Sequence, residues 1–329
     1  MRKYKFVLLA VLILPLFLFS TGCFFLDFIF GPSPDDNGED KDTEPEEISE
    51  EEEEFIDDDL RETTFYLTDG HQNLVPVVRP IEWSEGIATK TLNKMSQCQE
   101  NIAFWEDTDL QPTLPEGSEV LGMTIRDGLA RVNFSEDLLD VDAPSEEMVL
   151  NSIVYTLTEF DTVDEVEFMI EGEYLDGLPA AGELMMPVQR KGINTPGVLE
   201  GPQDGTAVTV YQVSEQGEYL VPVTEYHSED DELIGRAIYH LVEGPEPESG
   251  LTSYVSSELS LNDVTMANST IQLDVANLAD DPEQEELALK QLVYTLTEFP
   301  DIEHVEVALN GEVLDAQEVM NIDMINLIH

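Results

Sequence analysis

The sequence predicts an α+β fold made of two tandem homologous β-β-α-β-β-α-β domains, with helices packed against a mostly antiparallel sheet. Three observations predict it. The stretch Val154-Tyr155-Thr156-Leu157-Thr158-Glu159-Phe160 returns letter for letter as Val293-Tyr294-Thr295-Leu296-Thr297-Glu298-Phe299. A strand pair carrying Leu-Val-Pro-Val opens each half, at Leu74-Val75-Pro76-Val77 and at Leu220-Val221-Pro222-Val223. A hairpin with period-two apolar spacing follows in each half, turning at Asp127-Gly128 and at Asn268-Ser269.

The chain opens with Arg2, Lys3 and Lys5 ahead of an uncharged apolar run over residues 6–19, the pattern of an export signal ending at residue 22. Ser20-Thr21-Gly22 leads into Cys23, which resembles the lipobox of bacterial lipoproteins and implies that Cys23 receives diacylglycerol and becomes the mature N-terminus. An uncleaved membrane helix over residues 6–26 is the alternative, being long enough to span and free of charge. Both place the remainder on the extracytoplasmic face of the cell membrane. Residues 23–62 read as a lipid-anchored, disordered acidic linker: 17 acidic residues between Asp35 and Glu62 face only Lys41 and Arg61. Such a stretch repels itself and buries too little apolar surface to order.

Strands around Thr64-Phe65-Tyr66-Leu67 and Leu74–Val77 begin the first domain, residues 63–178; Val208-Thr209-Val210-Tyr211 and Leu220–Val223 begin the second, residues 206–329. Proline donates no backbone hydrogen bond, so Pro76 and Pro222 belong on edge strands or strand ends. Helices follow over residues 87–95 and 233–242, the latter stopped by Glu243-Gly244-Pro245. The first domain has a longer loop through Trp105 instead. The hairpin strands alternate through Leu121, Met123, Ile125, then Ala130, Val132, Phe134, and in the second domain through Val264, Met266, then Ile271, Leu273, Val275. Val149, Ile153, Leu157 and Phe160 form a helical stripe, matched by Leu292, Leu296 and Phe299. Ser145 and Asp281 are the expected N-caps, with Pro282 in the first helical position. Last come strands through Val163–Ile170 and Ile302–Leu309, each entering a Gly-Glu turn. Residues 179–205, rich in Pro and Gly, read as an inter-domain connector.

The opening strands with Leu-Val-Pro-Val, the helix ending Leu241-Val242-Glu243-Gly244-Pro245, Gly250-Leu251-Thr252-Ser253 and the recurring Val-Tyr-Thr-Leu-Thr-Glu-Phe together resemble the GerM domain. The resemblance covers residues 63–178 and 206–316. It implies a non-enzymatic envelope role in sporulation or spore germination, and a fold similar to the ring-building modules of secretion systems. Partners implied are other envelope or sporulation-complex proteins, or self-association.

The formal net charge of −57 excludes nucleic acid as a partner of this surface. Asp107-Thr108-Asp109 begins like a calcium loop, but Pro112 stands where the EF-hand needs glycine, and an acidic surface is read as solvated. Cys98 has no counterpart in the second domain and reads as a half-buried apolar residue. The histidines, His71, His227, His240, His304 and His329, recur at no matching position and read as isolated. Glu159 and Glu298 are the recurring acids of the motif. They are read, with the flanking threonines, as satisfying backbone groups at the helix end, since each lacks the second carboxylate that glycoside hydrolysis needs. No catalytic residue, cofactor or metal is therefore expected, and lipidation at Cys23 is the one assigned site. The expected function is a membrane-tethered assembly or interaction module; the alternative is a cell-wall-binding accessory beside a peptidoglycan hydrolase.

Overall fold

In the computed structural model, residues 59–180, 182–195, 205–215, 217, 219–228, 232–314 and 325–328 are described. The export segment, Cys23 and the linker up to residue 58 lie outside them. Strand β1 (Leu60–Thr68) pairs antiparallel with β2 (Leu74–Glu82), setting Tyr66 opposite Pro76. β1 thus starts inside the expected linker: Leu60, Arg61 and Glu62 stand opposite Glu82, Ile81 and Pro80 in the β1–β2 ladder.

Helix α1 (Ile87–Asn93) is followed by α2 (Gln99–Phe104), which replaces the expected long loop and is too short to show periodicity. Its purpose is visible in Trp105, 1 % exposed and edge-on to Phe65 at 4.8 Å. Cys98, half-buried as read, precedes α2. β3 (Val120–Arg126) and β4 (Gly128–Phe134) form the hairpin, with Asp127 and Gly128 both at positive φ, as a two-residue turn matched to strand twist requires.

Helix α3 (Glu146–Leu157) then crosses over, so that β5 (Val163–Ile170) lies parallel to β4, and β6 (Glu173–Tyr174) returns antiparallel. Sheet order is β3-β4-β5-β6, mostly antiparallel with one parallel pair. Ser145 does not cap α3: it sits within a 3₁₀ turn and makes no capping bond. Asp281 does cap its turn, accepting from the Glu283 N–H at 3.0 Å.

The expected connector is only partly that. Strands β7 (Gly177–Leu178) and β8 (Gly182–Glu183) pair, Val188 bridges to Val166, and Leu184, Val188 and Ile193 are buried. These apolar residues between the prolines bind the segment to the first domain.

The second domain repeats the plan through β9 (Thr206–Ser214), β10 (Leu220–His227), α4 (Leu233–Glu243), β11 (Leu251–Thr252), β12 (Ser260–Ala267), β13 (Thr270–Ala276), α5 (Glu285–Thr297), β14 (His304–Leu309) and β15 (Glu312–Val313). Again β13 and β14 are parallel, and the order is β12-β13-β14-β15. The apolar stripes read from sequence line the two cores: Ile153, Leu157, Val166 and Phe168 in one, Leu292, Leu296, Ile271 and Val305 in the other. Each such fully buried side chain is worth about 1.5–3 kcal/mol. The first core also takes Tyr219 and Val221 from the second domain.

Edge strands β2 and β10 are where the domains meet, and both prolines lie on them. Two asparagines at positive φ join them. Asn194 accepts from Leu74 N (2.7 Å) and donates to Leu74 O (2.9 Å) and Pro222 O (2.7 Å). Asn326 mirrors this, accepting from Leu220 N (2.9 Å) and donating to Leu220 O (2.8 Å) and Pro76 O (2.7 Å). Ile193-Asn194 and Ile325-Asn326 are thus a second matched pair, too short to be noticed in the sequence.

Candidate functional site

The recurring heptad builds the same arrangement twice. Thr156 Oγ1 accepts the N–H of Tyr66 on β1 at 3.1 Å, and Thr295 Oγ1 accepts that of Tyr211 on β9 at 2.9 Å. Thr158 and Thr297 turn back to carbonyls of their own helices, Val154 and Val293. Tyr155 packs on Tyr66 with ring centroids 5.2 Å apart, and Tyr294 on Tyr211 at 5.6 Å. The glutamates do not satisfy backbone groups as expected. Glu159 accepts from the Tyr66 hydroxyl at 2.9 Å and Glu298 from Tyr211 at 2.7 Å.

Where β2 and β10 bring the domains together, both sets open into one cleft of about 380 Å³. Tyr66, Glu159, Tyr211 and Glu298 line it together with Arg190. The two carboxylates that looked solitary in sequence therefore share a site. Arg190 binds the Glu159 carboxylate, donates to Thr158 Oγ1 (2.6 Å) and Tyr155 O (2.8 Å), and lies over the Tyr155 ring at 4.7 Å. Sequence reasoning missed Arg190, which sits in the Pro- and Gly-rich stretch and belongs to no repeated motif.

Electrostatics fixes the state of these groups. Burial, then the Glu159 charge, pushes the Tyr66 phenol well above its ordinary range; burial, then Glu298, does the same to Tyr211. Both stay neutral donors. Burial opposes the Arg190 charge, but the paired Glu159 carboxylate outweighs it and holds the guanidinium protonated. Glu298 is raised, chiefly because its carboxyl loses water, with Tyr211 and Arg190 pulling it down and Glu159 adding to the rise. The residue is nonetheless open to solvent on its outer side, which limits that rise. Neutral phenols, an engaged guanidinium and a carboxylate with spare acceptor capacity suit binding of a polar group.

The other sequence candidates separate. Asp107 of the calcium-like stretch is bound by Arg79 at 2.7 Å, and that hydrogen bond holds its carboxyl below the usual range. His71 and His304 are exposed, and His329 lies outside the described residues. His227 and His240 correct the reading of isolated histidines: their rings lie 5.0 Å apart, beside Glu225. The strand and helix positions that bring them together are too far apart in sequence to form a local motif.

A family model described as "Germane: Sporulation and spore germination" matches residues 63–176 and 209–315. The chain belongs to this family. It is 30 % identical over 263 residues to the spore germination protein GerM of Bacillus subtilis (strain 168), covering 75 % of this chain and 71 % of that protein. The solved tandem GerMN domains of B. subtilis GerM superpose with a TM-score of 0.66 at 28 % identity, covering 77 % of this chain and 92 % of that one. Two tandem Germane domains of α+β architecture are therefore common to both, and the cleft described above lies at the junction between them.

Proposed function

We propose that this chain acts in sporulation or spore germination as an assembly module, held at the extracytoplasmic face of a membrane by lipid on Cys23 and catalysing no reaction. Family membership supports the process. The observation that carries the assembly role is a matched pair of outer strands. β3 and β12 end their sheets, and both turn apolar side chains to solvent: Leu121 is 47 % exposed, Val264 45 % and Met266 48 %. An edge of this kind offers main-chain hydrogen bonds to an added strand and apolar contacts to select it.

The absence of catalysis is supported by the engagement of the cleft groups: the phenols are neutral, and Glu159 and Arg190 are bound to each other. Among the described residues no helix is long and apolar enough to cross a membrane; the proposed attachment rests on the export segment and Cys23 read from the sequence.

The test is complementation of a spore-forming strain lacking the gene. Wild type restores sporulation and germination; Leu121→Lys combined with Val264→Lys and Met266→Lys does not, at equal protein level and membrane fraction. Full rescue by that variant overturns the assembly role through these edges. Retention of the protein on purified cell wall, independent of those edges, favours the accessory role beside a hydrolase. Muropeptide turnover that disappears on Glu298→Gln overturns the absence of catalysis. Mass spectrometry of the N-terminal peptide is expected to show a lipid-modified Cys23, and Cys23→Ala to leave the chain unprocessed.

A further inference from the structure

The cluster of Glu225, His227 and His240 is separate from the cleft and from the strand edges. Glu225 and His227 stand two residues apart on β10 and so share one face of the strand, while His240 comes from α4. His240 Nε2 lies 2.7 Å from Glu225 Oε2, His227 Nε2 lies 3.8 Å from the same oxygen, and the donor atoms of all three residues fall within 4.8 Å of one another. Four ligands bound at about 2.0–2.2 Å in a tetrahedron lie roughly 3.4 Å from each other, a value that falls within the range of these separations.

The 2.7 Å approach is also not a hydrogen bond. His240 Nε2 is buried and has no aligned partner among the described residues, although an N–H turned toward Glu225 would form a strong charge-assisted one. A shared cation holds lone-pair donors at short distances of this kind without hydrogen-bond alignment between them. The histidine side chains are 12 % and 17 % exposed and the glutamate 37 %, so an ion has access from the Glu225 side.

A comparison within the molecule supports this independently. Counting from the shared Leu-Val-Pro-Val, Glu225, His227 and His240 correspond to Arg79, Ile81 and Lys94 of the first domain. There Arg79 lies over the Phe104 ring at 4.6 Å and Lys94 Nζ over the same ring at 4.8 Å. The first domain thus fills this place with two covalently attached cations, and the second offers ligands for one taken from solution. We propose that Glu225, His227 and His240 bind a divalent transition-metal ion of the zinc class, clipping α4 to β10. Two imidazoles and one carboxylate suit zinc and disfavour calcium or magnesium, which prefer oxygen donors throughout. Three protein ligands leave the fourth position to water. The net charge of −57 concentrates cations around the whole chain but selects none.

The test uses the full chain in detergent, stripped with a chelator and titrated with Co²⁺ and then Zn²⁺. Expected are the visible d–d bands of four- or five-coordinate cobalt at one ion per chain, their loss on Zn²⁺ addition, and a melting temperature raised by Zn²⁺. His227→Ala and His240→Ala are expected to weaken Zn²⁺ binding more than about 100-fold, and Glu225→Gln by at least about tenfold. His71→Ala leaves it unchanged. Should a histidine variant fail to fold, Glu225→Arg with His240→Lys supplies the first domain's own cations; it is expected to fold without metal and to show no cobalt bands. Absence of a stoichiometric cobalt spectrum overturns the site. So does Zn²⁺ binding of equal strength in the wild type and in Glu225→Arg with His240→Lys, which would assign the ion to the acidic surface at large.

Discussion

A buried backbone N–H requires an acceptor, and at Tyr66 and Tyr211 a threonine hydroxyl supplies it. Thr156 and Thr295 are fully buried, so replacing either by valine keeps the shape and orphans the donor. Thr295→Val is expected to cost about 1–3 kcal/mol in chemical denaturation, and Thr295→Ser distinctly less. The neighbouring acid behaves differently. The folded-state pKa of Glu298 is raised, so the native state holds this proton more tightly than the unfolded chain does. Its contribution is therefore fully present below the ordinary glutamate value and is lost as pH rises through the folded one. Melting curves taken between about pH 4 and 7 are expected to show the wild type losing stability relative to Glu298→Gln as pH rises. The heptad was legible because it recurs verbatim. Its bonds to tyrosine hydroxyls were not, since the tyrosines lie some 90 residues away on other strands.

Among the elements, strands and long helices followed from alternation and apolar stripes, and failures cluster where those signals are short or absent. Helix α2 is six residues long, β1 begins among charged residues, and the segment through Val188 and Asn194 hides its buried side chains between prolines and glycines. Asn194 and Asn326 show how much such segments can carry. Each places three hydrogen bonds across β2 and β10, on prolines that leave no donor of their own at that edge. Because Asn326 has φ 53°, glycine keeps its backbone geometry and isolates the side chain. Asn326→Gly is expected to cost about 2–3 kcal/mol, and Asn326→Ala roughly 1 kcal/mol more through left-handed strain. Equilibrium denaturation of the two variants beside the wild type separates these parts.

For the molecule as a whole, the duplication and the fold class were visible in sequence, whereas the way the copies hold each other was not. The backbone after the first copy bonds to the second: Thr224 N donates to Ile193 O at 2.9 Å. The backbone after the second copy bonds to the first: Val78 N donates to Asn326 O at 3.3 Å and Ile328 N to Val78 O at 2.8 Å. Tyr219 adds a buried hydroxyl bond to Thr108 O at 2.6 Å. Calorimetry is therefore expected to show one cooperative transition, and two halves produced by a cut within residues 196–204 to co-elute when mixed; two independent transitions or separate elution would contradict this coupling. The crossed tails have the form of an exchange between two subunits about a twofold axis. An ancestral single-copy chain with the same tail could have paired as a homodimer in this way, and such a pair must place every off-axis residue twice. Joined into one polypeptide, the pair escapes that rule: Arg190 can enter the cleft from one side alone, and the place held by Arg79 and Lys94 in one half can become Glu225 and His240 in the other. The single polypeptide accordingly presents two unlike faces where a symmetric pair presents two alike.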